Sequence, residues 1–124
     1  MNVIRDKALV NQYHFDARNR EWEEKNGVPT TRLTVDFQLI ERNTQENKTS
    51  IVVILRFMIV LDYFVISGAM SQGVHILEQL VQEVDEFSEE DKRFLVNPLL
   101  DILQRLTYEV TEIALDAPGV NLEI

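Results

Sequence analysis

Residues 50–61 read Ser-Ile-Val-Val-Ile-Leu-Arg-Phe-Met-Ile-Val-Leu, and this stretch decides the fold class. Its length and composition predict a β-strand that is apolar on both faces, with Arg56 as the exception. Because the side chains on both faces are apolar, both faces should be buried against other parts of the protein or a partner. We expect a helix of the same domain to pack on one face, and a second subunit or a bound chain on the other.

Two earlier stretches show the two-residue alternation of half-buried strands. In residues 32–39 apolar side chains alternate with polar ones. Residues 9–17 follow the same two-residue period, except that one position expected to be apolar is polar. An antiparallel sheet with one wet face produces this pattern. Both stretches are therefore predicted strands of one antiparallel sheet.

The remaining segments of the first half predict a fourth strand and the connections. Asn19–Thr31 is too long for a tight hairpin and too polar for a strand, so we interpret it as a crossover loop. Residues 43–47 form a polar turn that suits a hairpin. The fourth strand is predicted from Tyr63 to about Ile76. Its Gly68 and Gly73 indicate a bulge, a bend or a close backbone approach.

The second half of the chain has the spacing of helices. Leu77–Val84 is interpreted as a short helix, and Ser88 starts a longer one because serine accepts hydrogen bonds from free backbone amides. Asn97-Pro98 either breaks that helix or caps a new one. An apolar stripe then continues to Pro118-Gly119 with steps of three or four residues, through Leu99, Ile102, Leu103, Leu106, Val110, Ile113 and Ala114.

Strands followed by helices define an α+β layout with the helices on one face of the sheet. The 124 residues fit one domain of ordinary size, so residues 1–124 are predicted to form a single domain. There is no cysteine, which excludes disulfides, cysteine-based zinc sites and thiol nucleophiles. No stretch reaches the ~20 apolar residues of a membrane helix and the start does not resemble a signal peptide, so we expect a cytoplasmic protein without membrane insertion.

Charge further narrows the classes of function. The net charge is −9, with +1 in residues 1–61 and −10 in residues 62–124. Such a surface repels phosphate backbones, so nucleic-acid binding is not expected. A basic protein partner is allowed, although acids of this kind are also typical of a solvated surface.

No residue pattern predicts catalysis, a cofactor or a metal site. His14 and His75 each stand alone, so we interpret them as exposed or hydrogen-bonded side chains. Ser67 and Ser71 lack the spacing of a nucleophile elbow. The acids of residues 83–91 lack the spacing of a calcium loop and favour helix capping, with a docking patch for a basic partner as the alternative.

Trp22 is the residue of the crossover with the strongest potential for binding. It lies in a polar segment among Glu21, Glu23 and Glu24. Tryptophan often anchors an interface because it offers a large apolar area with one polar handle. The alternative interpretation is a structural residue that tucks onto the sheet.

The order of elements and several local matches resemble SecB, the bacterial preprotein-binding chaperone. Residues 55–60, Leu-Arg-Phe-Met-Ile-Val, resemble its alternating third strand, and residues 71–76, Ser-Gln-Gly-Val-His-Ile, resemble its glutamine-glycine strand end. Residues 98–122 resemble its long helix with the proline and Asn-Leu segment that follows, and Trp22 ahead of Pro29 resembles its crossover loop. The resemblance covers about residues 8–122 and points to a family of short SecB-like bacterial proteins without an assigned function.

This resemblance implies a four-stranded Greek-key sheet backed by a long helix, with self-association to a dimer or tetramer. The implied helix contacts between copies are Leu99, Ile102, Leu106 and Val110. It also implies apolar grooves that hold unfolded polypeptide, lined by the crossover, the sheet and the helix region. The corresponding residues here are Trp22, Val28, Met70, Val74, Ile76, Val120 and Leu122. The second terminal helix of SecB has no counterpart in residues 1–124.

Two hypotheses of function follow, and neither is enzymatic. The first is a chaperone-like protein that binds unfolded or extended polypeptide. The second is a structural or regulatory interaction module that contacts one dedicated folded partner through its acidic helical half. An enzyme acting on a small molecule would need a cavity between sheet and helix, and no residue pattern supports one.

Overall fold

The computed structural model describes residues 1–124, which form five strands, two α-helices and one 3₁₀ turn. The chain divides into two units, Met1–Glu86 and Phe87–Ile124. In chain order the elements are β1 (Asn2–Arg5), β2 (Leu9–Ala17), α1 (Arg20–Asn26), β3 (Arg32–Asn43), β4 (Lys48–Val60), β5 (Phe64–Leu77), the 3₁₀ turn (Val84–Glu86) and α2 (Glu89–Leu115).

All five strands belong to one antiparallel sheet with a Greek-key path. β3, β4 and β5 are consecutive neighbours, and β1 and β2 pair with the far edge of β5. β2 lies beside Phe64–Ser71 and β1 beside Val74–Leu77, so the two occupy successive parts of one edge. The α+β class is confirmed, with five strands in place of four. The alternation does not predict β1 because four residues are too few to display a period.

β4 is the centre of the sheet, since it pairs with β3 on one side and with β5 on the other. On one face its side chains are at most 6% exposed, namely Ile51, Val53, Leu55, Phe57 and Ile59. On the opposite face Val52, Ile54, Met58 and Val60 are half-buried. The prediction of a strand with two apolar faces is thus confirmed, and one of those faces stays partly open.

Both glycines within β5 mark close approaches of the backbone. A Cβ at Gly68 would collide with the carbonyl of Gln12, beside the bulge of β2. A Cβ at Gly73 would collide with the carboxylate of Asp6, in the link between β1 and β2. Glycine is needed at position 68, because a side chain there would push the β2 backbone away, whereas at position 73 the Asp6 side chain could move aside.

The crossover from β2 to β3 contains a helix, which corrects the expectation of a loop over Asn19–Thr31. The Asn19 side chain accepts a hydrogen bond from the Trp22 amide at 3.0 Å and so caps the start of α1. Gly27 ends the helix with φ 97°, a conformation that suits glycine. The capping residues at its two ends determine where this helix forms. Seven residues are too few to show a helical period in the sequence.

The prediction of a short helix over Leu77–Val84 is wrong. Leu77 is the last residue of β5, and only a 3₁₀ turn follows. The Thr49 hydroxyl donates to the Gln79 carbonyl and accepts from the Val81 amide, both at 2.9 Å. These two backbone groups are bonded to β4 instead of to a helical ladder, and Val81 is buried there.

The second unit consists of α2 and the tail that follows it. Ser88 caps α2, and its hydroxyl and the Asp91 carboxylate form a reciprocal capping box, as the prediction of a helix start at Ser88 requires. The helix then continues through Pro98, so the expected break at Asn97-Pro98 is wrong. Five of its six buried positions recur every four residues, at Leu95, Leu99, Leu103, Thr107 and Thr111, and the sixth is Val96. Neither α-helix is both long and apolar enough to span a bilayer.

Replacing Leu55 by alanine should lower the free energy of unfolding by about 2–5 kcal/mol, because the side chain is fully buried and leaves a cavity. Ile54→Ala is the matched control on the opposite face of β4 and should cost clearly less, since Ile54 is only half-buried. Urea unfolding followed by circular dichroism measures both variants. Equal losses would contradict the assignment of a buried and an open face.

Candidate functional site

The crossover helix α1 is fastened to the turn between β4 and β5 by two arginines. Arg18 donates two hydrogen bonds to the Glu23 carboxylate, from Nη2 at 2.6 Å and from Nε at 3.1 Å. It also donates through Nη1 to the Leu61 carbonyl at 3.1 Å. Arg20 donates to the Asp62 carbonyl at 2.7 Å. The helix is therefore held in one orientation against the end of the sheet.

Electrostatics favour the charged forms of the Arg18–Glu23 pair. Both side chains are largely buried, and the bidentate geometry satisfies the carboxylate where water is excluded. The hydrogen bonds from Arg18 hold the pKa of Glu23 below its usual range, and those same bonds raise the pKa of Arg18. The pair therefore stays ionised and keeps α1 in place at neutral pH.

The fastened crossover presents apolar side chains to solvent. Trp22 is 55% exposed and Val28, which follows the helix, is 64% exposed. Tyr63, in the turn that α1 contacts, is 80% exposed, and its carbonyl accepts from the Arg18 amide at 2.9 Å. We call Trp22, Val28 and Tyr63 the crossover surface. Exposed aromatic groups on a rigid support are typical of binding surfaces.

Tyr63 is the member of this surface that the sequence pattern misplaces. The alternation assigns it to the start of the fourth strand, whereas the strand begins one residue later at Phe64. The neighbouring Asp62 is the signal that extends the turn, because aspartate is favoured in turns. Tyr63 thus belongs to the turn and not to the sheet, and it is exposed there.

The three predicted site residues of β5 are buried. Met70, Val74 and Ile76 have no exposed surface, because they belong to the same buried face as the inward side chains of β4. A bound polypeptide could reach them only if the covering side chains moved aside. They therefore do not contribute to a surface in this conformation.

The two predicted site residues of the tail are held against α2. The Val120 amide donates to the Thr111 hydroxyl at 2.8 Å, and the Leu122 carbonyl accepts from the Gln104 side chain at 3.1 Å. Val120 is half-buried and Leu122 is buried. The tail is thus part of the folded second unit and offers only a partial apolar surface.

The predicted oligomer contacts on α2 fall into two groups. Leu99 is fully buried and belongs to the core row of the helix. Ile102, Leu106 and Val110 are half-buried, and their spacing of four residues places them on one side of the helix. We call these three residues the α2 stripe.

His75 of β5 is hydrogen-bonded to β4 and to the link between β1 and β2, on the open face of the sheet. Its Nδ1 lies 2.8 Å from the Ser50 hydroxyl, and its Nε2 lies 3.2 Å from both carboxylate oxygens of Asp6. The order of groups is that of a serine hydrolase, but the two ring nitrogens have exchanged roles. The network joins the link after β1 to β4 and β5, so its evident effect is to hold the edge in place. No group of three or more His, Asp or Glu side chains is arranged to hold a metal ion.

A Greek-key sheet followed by a long helix is the architecture of SecB-like proteins, and comparison with solved structures agrees. The Mycobacterium tuberculosis SecB-like chaperone, solved in complex with a ChAD peptide from the HigA1 antitoxin, matches with a TM-score of 0.56 at 9% sequence identity. The match covers 98% of this chain and 90% of that one, and at this identity it shows a shared fold.

The chain belongs to the family described as "Protein of unknown function (DUF1149)", whose model matches residues 1–124. A protein of unknown function from Streptococcus agalactiae, known from its crystal structure, is 57% identical and has a TM-score of 0.97. That match covers 100% of this chain and 98% of the other. The search of curated proteins gave no match. The resemblance to a short SecB-like family without an assigned function is therefore confirmed.

Replacing Glu23 by glutamine should destabilise the protein in a pH-dependent manner. Because the pKa of Glu23 is lowered in the folded state, the ion pair contributes fully above the unfolded pKa of about 4.3. This contribution is lost as the pH falls through the lower folded pKa. The difference in unfolding free energy between wild type and Glu23→Gln should thus be largest at neutral pH and shrink towards acid.

Denaturant unfolding at a series of pH values measures this difference. Glu24→Gln is the control, because Glu24 is an exposed neighbour on the same helix. A Glu23→Gln difference that does not change with pH would contradict the role of the ion pair.

Proposed function

We propose that this protein binds unfolded or extended segments of other polypeptides, as a chaperone-like protein without a catalytic step. The observation that carries the proposal is the crossover surface. Trp22 sits on a helix that Arg18 and Arg20 fasten to the sheet, and Tyr63 lies in the turn that this helix contacts. A rigid apolar surface loses little conformational entropy when a ligand covers it.

The driving force would be burial of apolar side chains from the bound polypeptide. Each Å² of apolar area removed from water stabilises a complex by about 25 cal/mol, independently of sequence. Trp22 and Tyr63 offer large rings together with polar groups that can bond to a peptide backbone. Such a surface accepts many different chains and therefore suits a protein with generic clients.

Two further observations support the proposal. The fold is shared with a SecB-like chaperone that was solved with a bound peptide. The net charge of −9 would attract basic segments and raise the rate of their association.

We also propose that copies of the chain associate through the α2 stripe. Ile102, Leu106 and Val110 are apolar but only half-buried, and they run along one side of the helix. A second helix laid against this side would complete their burial by ridges-into-grooves packing. The exposed apolar Ile113 extends the same region towards the helix end.

The second candidate function is an adaptor for one folded basic protein. Residues 78–91 contain seven acids and no lysine or arginine, which favours this alternative. Binding of that kind would weaken steeply between about 0.05 and 0.5 M salt, because charges in water are screened. Binding through apolar burial would persist at the higher salt concentration.

Trp22→Ala should weaken binding of a permanently unfolded client at least about tenfold, as expected when an aromatic anchor is removed. Reduced and carboxymethylated lactalbumin serves as the client, and fluorescence anisotropy of labelled client measures the Kd. Ile4→Ala is the matched control, because Ile4 is as exposed as Trp22 but lies on β1, opposite His75. No binding by the wild type, or equal losses in both variants, would contradict the proposal.

Leu106→Lys should shift the protein towards a smaller species in solution, because a charge in the α2 stripe opposes its burial. Glu109→Lys, at an exposed position one turn away, is the control and should leave the mass unchanged. Sedimentation velocity measures the mass, and circular dichroism verifies that the variants are folded. A wild type that sediments as a monomer at all concentrations would refute self-association through this helix.

A further inference from the structure

Asn26 and Gly27 form the one asparagine–glycine pair of the chain. The other seven asparagines are followed by larger residues, and Asn97 is followed by a proline, which has no amide proton. An asparagine side chain can react with the next backbone amide, and glycine at that position removes the Cβ that otherwise hinders their approach. The pair lies at the end of α1, one turn after Trp22 of the crossover surface.

Both groups that would react are held by α1 itself. The Asn26 side chain donates through Nδ2 to the Trp22 carbonyl at 3.0 Å, and the Gly27 amide donates to the Glu23 carbonyl at 2.8 Å. While these bonds persist, the Gly27 nitrogen is not free to attack the Asn26 side chain. Reaction therefore requires that the last turn of α1 opens.

The last turn of α1 is the part of the crossover that can open locally. A helix of seven residues is marginal by itself, and Arg18 fastens this one at Glu23. The chain is next bonded to the sheet at Thr31, whose hydroxyl accepts from the Val60 amide at 3.0 Å. Residues 24–28 between these two points are all exposed. This segment can thus open while the sheet stays folded.

The surroundings of Gly27 permit the rearrangement that the reaction needs. A side chain added at Gly27 would meet no atom within 4 Å, so the backbone can turn without a collision. Its φ is 97°, and glycine passes between positive and negative φ at little steric cost. Asn26 and Gly27 are both exposed, which gives water access to the reacting atoms.

We infer that Asn26 is a modification site, at which opening of α1 leads to deamidation. The Gly27 nitrogen bonds to Cγ of Asn26 and closes a succinimide ring, while the side-chain nitrogen leaves as ammonia with the former Gly27 amide proton. Water then opens the ring at either of its carbonyls and yields aspartate or isoaspartate. Nothing is oxidised or reduced, and water is the co-reactant. The inference does not depend on what the crossover surface binds.

The product opposes re-formation of the last turn. A carboxylate cannot donate to the Trp22 carbonyl, and a negative charge is unfavourable at the C-terminal end of a helix. Isoaspartate also adds a methylene group to the backbone, which displaces the Gly27 amide from the Glu23 carbonyl. Conversion of Asn26 therefore loosens the support of Trp22 in an aged chain.

Incubation of the full chain at neutral pH, followed by peptide mapping with mass spectrometry, tests the inference. The mass gain of an amide-to-carboxyl conversion should accumulate at Asn26 at least about tenfold faster than at any other asparagine, because only Asn26 precedes glycine. Asn47, which is exposed in a turn but precedes lysine, is the internal reference. Electron-transfer fragmentation should identify isoaspartate in part of the product.

Two results of this incubation would overturn the inference. One is faster conversion at another asparagine. The other is no mass gain at Asn26 in the folded protein over a period in which the guanidinium-unfolded chain converts completely.

Two variants test the link to the opening of α1. Asn19→Ala removes the N-cap and should raise the rate of conversion at Asn26 about fivefold, because more of the helix is open. Asn26→Asp should speed amide hydrogen exchange at Gly27 at least about threefold, measured by NMR. Glu24→Gln, which changes a charge on the same helix, is the control and should leave that exchange unchanged.

An unchanged rate of conversion in Asn19→Ala would show that opening of α1 does not control the reaction. Exchange at Gly27 that is no faster in Asn26→Asp than in Glu24→Gln would show that the product leaves the last turn intact. Either result overturns the inference.

Discussion

The pairing of β4 on both of its edges is the constraint on which the first unit depends. Its inward side chains are buried from Ile51 to Ile59, and its backbone is hydrogen-bonded to β3 and β5. Because the side chains of a strand alternate with a period of two, a slip of one residue would move the whole apolar row to the open face. The register of both neighbours is thereby fixed. At the start of the strand the Thr49 hydroxyl also fixes the position of residues 79–81 through hydrogen bonds, although these residues pair with no strand.

The crossover transfers that rigidity to a surface outside the sheet. Arg18 lies just beyond β2 and Leu61 just beyond β4, so one guanidinium joins the ends of two strands to the carboxylate of α1. A buried ion pair of this kind gains little net stability over an apolar contact, but it tolerates only one geometry. The backbone that carries Trp22 and Tyr63 therefore keeps a defined position, although both rings are exposed. Because Arg18 and Glu23 hold the backbone in place, the exposed side chains of Trp22 and Tyr63 can be replaced without loss of the fold.

The strands of the sheet could be predicted from the alternation, because half-buried strands reveal their period. Three features could not. β1 is too short to show a period, α1 is specified by the capping groups of Asn19 and Gly27, and the path after Leu77 depends on a hydroxyl that is distant in sequence. For the candidate site, the sequence left open whether Trp22 is exposed or tucked onto the sheet, and the structure shows it 55% exposed. The burial of Met70, Val74 and Ile76 follows from their phase on β5. Periodicity distinguishes the two faces of a strand. It does not tell which face is buried by other residues of the same chain.

The break between Arg5 and Leu9 and the bulge after Val10 have a consequence for aggregation. A sheet with two regular edges can grow without limit, since each added copy offers a fresh edge to the next, and fibres result. Here the side formed by β1 and β2 is irregular, and Gly68 lets the Gln12 backbone approach β5 closely at the bulge. Growth that would pair this irregular side with a strand of another copy is therefore disfavoured.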